Sequence, residues 1–149
     1  MNKPAFTLVE ALVSVAIMAI GFAGVYGLVS TSNRVLSDSI DREKLNFQAG
    51  EIIESLHADK TNILEYNGKD LSKCSNLKAK KGMDDQLAKL KLWCQKLQGD
   101  IGDKRSQDRR RIRVEKKKVG QKYVYIVSVD LAGKSGDKTV FMKRVFNAE

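Results

Sequence analysis

Phe6-Thr7-Leu8-Val9-Glu10 opens the stretch whose reading decides the fold, and it runs directly into residues 11–29, 19 residues without a charged side chain. With residues 6–9 the apolar run reaches about 24 residues, roughly 36 Å as a helix, enough to cross a bilayer core. One carboxylate, Glu10, stands just inside its entrance. Burying it there costs on the order of 3 kcal/mol and calls for a positive partner at the same depth. Glu10 lies too near the start of the run to be a mid-membrane proton relay. An ordinary cleaved signal peptide has a shorter apolar core, about 7–15 residues, with no acid at its entrance. A plain signal anchor accounts for the length but not for Glu10 or Thr7.

The segment Phe6-Thr7-Leu8-Val9-Glu10, following a short stretch with one lysine, Lys3, resembles the N-terminus of the type IV pilin superfamily. That superfamily comprises major and minor pilins and the pseudopilins of type II secretion. The resemblance implies that a prepilin peptidase, also an N-methyltransferase, cuts between Ala5 and Phe6 and methylates the Phe6 amine. Residues 1–5 are then a leader peptide, and Glu10 is the fifth mature residue. On the same resemblance Glu10 directs assembly by pairing with the amine of a neighbouring subunit, so that each charge is desolvated at less cost than alone. Ala5 stands where the family usually has glycine. Many major pilins carry a proline inside the mature helix, whereas the single proline here is Pro4. Gly21, Gly24 and Gly27 occupy that region instead, which favours a minor pilin or pseudopilin.

A chain of 149 residues allows one span and one small head of its own. Charge is uneven. Residues 1–59 hold 4 Lys/Arg against 7 Asp/Glu, a net of −3, and residues 60–149 hold 23 against 11, a net of +12, which reproduces the overall +9. With only Lys3 on the near side, the positive-inside count is uninformative. Cys74 and Cys94 are the only cysteines. An exported head meets an oxidising compartment, and an even pair there suggests one disulfide. Closing that loop contributes roughly 3 kcal/mol in the loop-entropy account. The spacing matches no zinc signature, His57 is the sole histidine, and no carboxylate pair or nucleophile–base set is visible. The sequence therefore points away from an enzyme, with no cofactor and no metal expected.

The expected fold is α+β: a long N-terminal helix, membrane-spanning in its first half, packed on a small antiparallel head. Residues 6–29 form the transmembrane half and residues 30–57 the amphipathic half, where Leu45, Ala49, Ile52 and Leu56 recur at i, i+4, i+7 and i+11 and Leu36 and Ile40 extend the stripe backwards. The head occupies residues 58–149. Residues 59–83 read as an irregular connector with turn signals such as Asn67-Gly68. A short helix over 84–98 starts from a cap at Asp84 or Asp85, carries Leu87, Leu90, Cys94 and Leu97 on one face, and ends at Gly99. With Trp93, Leu97 and Gly99 it looks like a segment of one minor-pilin group, the type IV pilus modification proteins, with Gln98 in place of their proline. Residues 109–146 read as a meander of three strands turning at Val119-Gly120-Gln121 and over 132–137. There Tyr123, Tyr125, Val127, Val129 and Leu131 form the core face. Gly133-Lys134-Ser135 resembles a phosphate loop only superficially. It lacks the earlier glycine and the following helix, and reads as a hairpin tip.

Residues 104–118 hold nine Lys/Arg against Asp108 and Glu115. Arg109, Arg110, Arg111, Arg113, Lys116, Lys117 and Lys118 are the candidate anion-binding residues. The favoured use is contact with acidic faces of adjacent subunits (Asp38, Asp41, Glu43, Glu51 and Glu54) or defence of a sheet edge. Arg111 and Arg113 on one strand face stand about 7 Å apart, near a phosphate spacing, so nucleic acid is the second and less favoured partner.

The expected role is that of a structural minor pilin that assembles into, or primes, a type IV pilus. The rivals are a pseudopilin of a type II secretion system and a membrane-anchored DNA-binding module for uptake. Implied partners are other pilins or pseudopilins through the N-terminal helix, the prepilin peptidase and an inner-membrane assembly platform. The implied location is the inner membrane with a periplasmic head, then a filament.

Overall fold

The computed structural model describes residues 7–103, 108–133 and 139–148. It holds a long helix, α1 (Leu8–Ala58), a second helix, α2 (Asp84–Ile101), and a sheet of β1 (Arg110–Val119), β2 (Lys122–Ala132) and β3 (Thr139–Asn147). The architecture is α+β and pilin-like, as the sequence leads one to expect. Two compact units divide the chain, residues 1–39 and residues 40–149.

In the first unit α1 begins just after Thr7 and continues without a break through Gly21, Gly24 and Gly27. Every large apolar side chain from Leu8 to Val29 exposes more than half of its surface. Hiding what remains exposed of these thirteen side chains is worth roughly 1–2 kcal/mol each. Tens of kilocalories of burial are therefore left for lipid or for other helices to supply. The helix is long and apolar enough to cross a membrane.

In the second unit a single buried cluster joins both helices and one face of the sheet. Leu45, Ala49, Ile52 and Leu56 are fully buried, matching the stripe read from the sequence. Leu36 and Ile40 do not extend that stripe: they are 59% and 43% exposed. From α2 the cluster takes Leu90, Trp93, Cys94 and Leu97, and from the sheet Ile112, Val114, Val127, Val129, Leu131, Val140 and Phe146. The sheet is antiparallel in the order β1-β2-β3. Ile112 faces Val129 and Val114 faces Val127, the register that puts all four on the buried side.

The connector is more ordered than its turn signals imply, with 3-10 turns at Lys60–Tyr66 and Cys74–Asn76. It also covers part of the β1 edge. Gly68 N donates to Ile112 O at 2.9 Å, Ile112 N to Lys69 O at 3.0 Å, and Leu71 N to Arg110 O at 2.7 Å. Cys74 and Cys94 are disulfide-bonded, with Cα atoms 5.6 Å apart, tying the connector to α2.

Both expected ends of α2 need correction. The capping position is Met83, with no side-chain cap, and Asp84 and Asp85 lie in the first turn, where they favour the helix dipole. At the other end α2 runs past Gly99 and stops at Gly102, whose φ of 85° only glycine adopts readily. Tyr123 also departs from the core face expected of it. It lies beyond the core end of β2 and is exposed, beneath the Lys116 ammonium at 4.6 Å. Residues 134–138, which include most of the expected hairpin tip at Gly133-Lys134-Ser135, lie outside the described residues, as do residues 104–107 of the basic run.

Candidate functional site

Two regions carry the candidate residues, and each belongs to its own unit. The first is the start of α1. Ala5 and Phe6, the expected cleavage pair, lie outside the described residues. Glu10 is exposed in the first turn of the helix. Its backbone N–H donates to Thr7 O at 3.0 Å and lies 3.4 Å from Thr7 Oγ1, while Ser14 Oγ donates to the Glu10 carbonyl at 2.8 Å. Thr7 therefore caps α1. Thr7-Leu8-Val9-Glu10 has the spacing of a capping box, Thr-x-x-Glu. The four residues display that signal in the sequence itself. The carboxylate stands exposed in the first turn of an apolar helix, where it favours the positive end of the helix dipole.

The second region is the sheet. Alternation along β1 puts Arg111, Arg113, Glu115 and Lys117 on the outer face, and Arg111, Arg113, Lys116, Lys117 and Lys118 are all exposed, as is Arg109 just before the strand. Arg110 is the correction: it is fully buried. Its Nε donates to Ala132 O at 3.1 Å and its Nη2 to Gly102 O at 2.8 Å. Burial lowers its pKa, opposed by Asp108 and Asp103. A guanidinium enclosed by carbonyls at the end of α2 is a structural clamp and is withdrawn from any anion surface. Arg113 is exposed but engaged, its Nη2 2.9 Å from Asp130 Oδ2. The pair of free guanidinia expected at Arg111 and Arg113 is therefore reduced to Arg111.

The acids expected to meet this face are also partly spoken for. Within the second unit Glu51 pairs with Lys96, and Glu54 with Arg144. Glu43 is exposed and Asp41 half-buried, on the α1 surface. Away from both regions, Asp59 accepts hydrogen bonds from Tyr66 Oη at 2.8 Å, Asn62 Nδ2 at 3.1 Å and Lys89 Nζ at 3.3 Å. Burial pushes its carboxyl up, but these donors outweigh it and hold the pKa below the ordinary value. Burial, and then Asp59, push the Tyr66 phenol well above its own. Trp93, singled out for its place in α2, is buried with its ring 5.9 Å from that of Tyr66.

Residues 1–26 match the family model of the prokaryotic N-terminal methylation motif, the type IV prepilin-like signature. Neither a curated protein nor a solved structure matches the chain. The motif, the exposed Glu10 and the apolar helix support a type IV pilin-like or pseudopilin protein, a structural class.

Proposed function

We propose that the chain is a minor pilin: a prepilin whose N-terminus is cut between Ala5 and Phe6 and methylated, and which then assembles into, or primes, a type IV pilus. What supports the reading is the match of residues 1–26 to the methylation-motif model, a segment that contains Glu10. Before assembly the apolar half of α1 is held in the inner membrane, with residues 58–149 as a head on the periplasmic side. In the filament the same side chains are covered by helices of other pilins, and Glu10 meets the Phe6 amine of a neighbour. Each charge loses its water only when its partner arrives, which makes docking selective for the correct axial register. Processing requires the prepilin peptidase, and extraction requires an inner-membrane assembly platform. The head contributes lateral contacts rather than chemistry.

Binding of nucleic acid is the weaker use of the head, because Arg110 is buried and Arg113 is paired with Asp130. Substitution of Glu10 tests the reading. Glu10→Val should insert into membranes as well as the native chain or better, since a carboxylate leaves the apolar phase, while its incorporation into filaments falls. Glu10→Gln keeps the shape and removes the charge, so it too should fail to incorporate. Native incorporation of both variants would overturn the assignment of Glu10 to assembly.

A further inference from the structure

On α1, Ile40, Glu43, Lys44 and Phe47 fall at i, i+3, i+4 and i+7, one stripe of the helix. With Gln48 and Asp100 they line a groove of about 290 Å³. Phe47 is 71% exposed, an unusual state for a phenylalanine in the middle of a helix whose opposite face is fully buried. Gln48 Nε2 donates to Asp100 Oδ2 at 2.9 Å, which fixes that second carboxylate at the groove. Between Ile40 and Phe47 the stripe carries Glu43 and Lys44, and with Asp100 the groove holds two carboxylates against one ammonium, so it is acidic on balance.

On the sheet, β3 pairs with β2 alone among the described residues, and its outward residues alternate as Phe141, Lys143 and Val145. Phe141 and Val145 are 62% and 59% exposed. This row reads apolar, basic, apolar. Its length fits the groove. Ile40 to Phe47 spans about 10 Å along a helix, and Phe141 to Val145 spans about 13 Å along a strand. In each row charge stands between the two apolar groups. Because both rows are open to solvent in the single chain, neither covers the other.

We infer that the outer row of β3 in one copy of this chain docks into the α1 groove of a second copy, with Lys143 against Glu43 and Phe141 and Val145 against Phe47 and Ile40. The occupant is a second copy because the complementary charge and the matching apolar spacing are both carried by this chain. The contact uses two different patches, so it is heterologous and leaves each pair with one groove and one strand unfilled, the geometry of an assembly that can grow. The inference rests on the reading of the chain as an assembling subunit and names the surfaces through which the heads meet.

Cross-linking of the full chain in membranes tests it. The native cysteines are disulfide-bonded, so thiols can be introduced as Lys44→Cys in one tagged copy and Val145→Cys in another, and joined with a short bismaleimide. A mixed cross-linked dimer is expected. Adding Lys143→Glu to the second copy should lower its yield by about fivefold or more, since a like charge replaces an opposite one, and Glu43→Lys in the first copy should restore it. An equal yield from a distant Lys73→Cys, indifference to the charge reversal, or linkage of Val145→Cys only to a chain of another mass would overturn the interface. The N-terminus of the same material separates the two levels. Methylated Phe6 without the cross-link removes this contact and leaves the subunit reading standing. The cross-link in chains that begin elsewhere supports the contact and removes the pilin reading.

Discussion

Arg110 Nη2 donates to the Gly102 carbonyl at 2.8 Å, joining the first residue of β1 to the glycine that ends α2. The same guanidinium reaches Ala132 O on β2, so one side chain holds three elements at one end of the core. Arg110→Ala should destabilise the chain by on the order of 3 kcal/mol, because it leaves a buried carbonyl and a half-buried one without charged donors and opens a cavity. Arg111→Ala, on the exposed face, should change stability by less than about 0.5 kcal/mol. Denaturant unfolding of the two variants side by side checks the contrast, and equal effects would refute the clamp.

Asp59 gives the fold an acid-sensitive point. Its folded pKa lies below the ordinary aspartate value, so its contribution is complete above that value and is lost as pH falls through the lower, folded one. Tyr66→Phe removes the 2.8 Å hydrogen bond. It should cost about 1–2 kcal/mol at neutral pH, as for a bond to a charged acceptor. That difference from the native chain should shrink as the pH falls through the lowered, folded pKa of Asp59, where the carboxylate takes up its proton. Thermal unfolding followed from neutral pH downwards is the measurement, and a cost independent of pH would place it elsewhere.

The Cys74–Cys94 bond closes a loop with a sequence separation of 20. Replacing both cysteines with serine should lower stability by roughly 3 kcal/mol in the loop-entropy account. Alkylation of unreduced protein from the periplasmic side should find no free thiol. Two alkylated cysteines would contradict the proposal that the head is exported to an oxidising compartment.

For the basic face, Arg111 and the exposed lysines of β1 supply charge without a reading surface. Any affinity for DNA should be sequence-independent and should fade near about 150 mM salt. Reversing Arg111 to Glu should then impair assembly more than any DNA phenotype. A salt titration beside an incorporation assay decides, and tight binding that survives at that salt would make DNA capture the function of the face.

Local periodicity carried much of this structure in plain view. The Leu45, Ala49, Ile52 and Leu56 stripe and the alternation of Val127, Val129 and Leu131 each meet a core on one side, and period alone locates them. The same rule, followed one step further, would have found Arg110: it shares the parity of Ile112 and Val114 and so must point inward. Its chemistry as a cation argued for the surface and masked that parity. Leu36 and Ile40 have the right spacing but fall beyond the end of the core, and sequence does not say where a core stops. The intrachain partners of Glu51 and Glu54, Lys96 and Arg144, lie far along the chain and become visible only in three dimensions. At the N-terminus the signal was a motif, and the capping role of Thr7 lay in its spacing from Glu10.

The central claim is processing at the start of α1, and the mature N-terminus tests it most directly. Mass spectrometry of the chain from a membrane fraction should find residues 1–5 missing and a methylated amine on Phe6. A chain that begins beyond Gly21, or one that keeps Met1 and carries no methyl group on Phe6, would contradict the account.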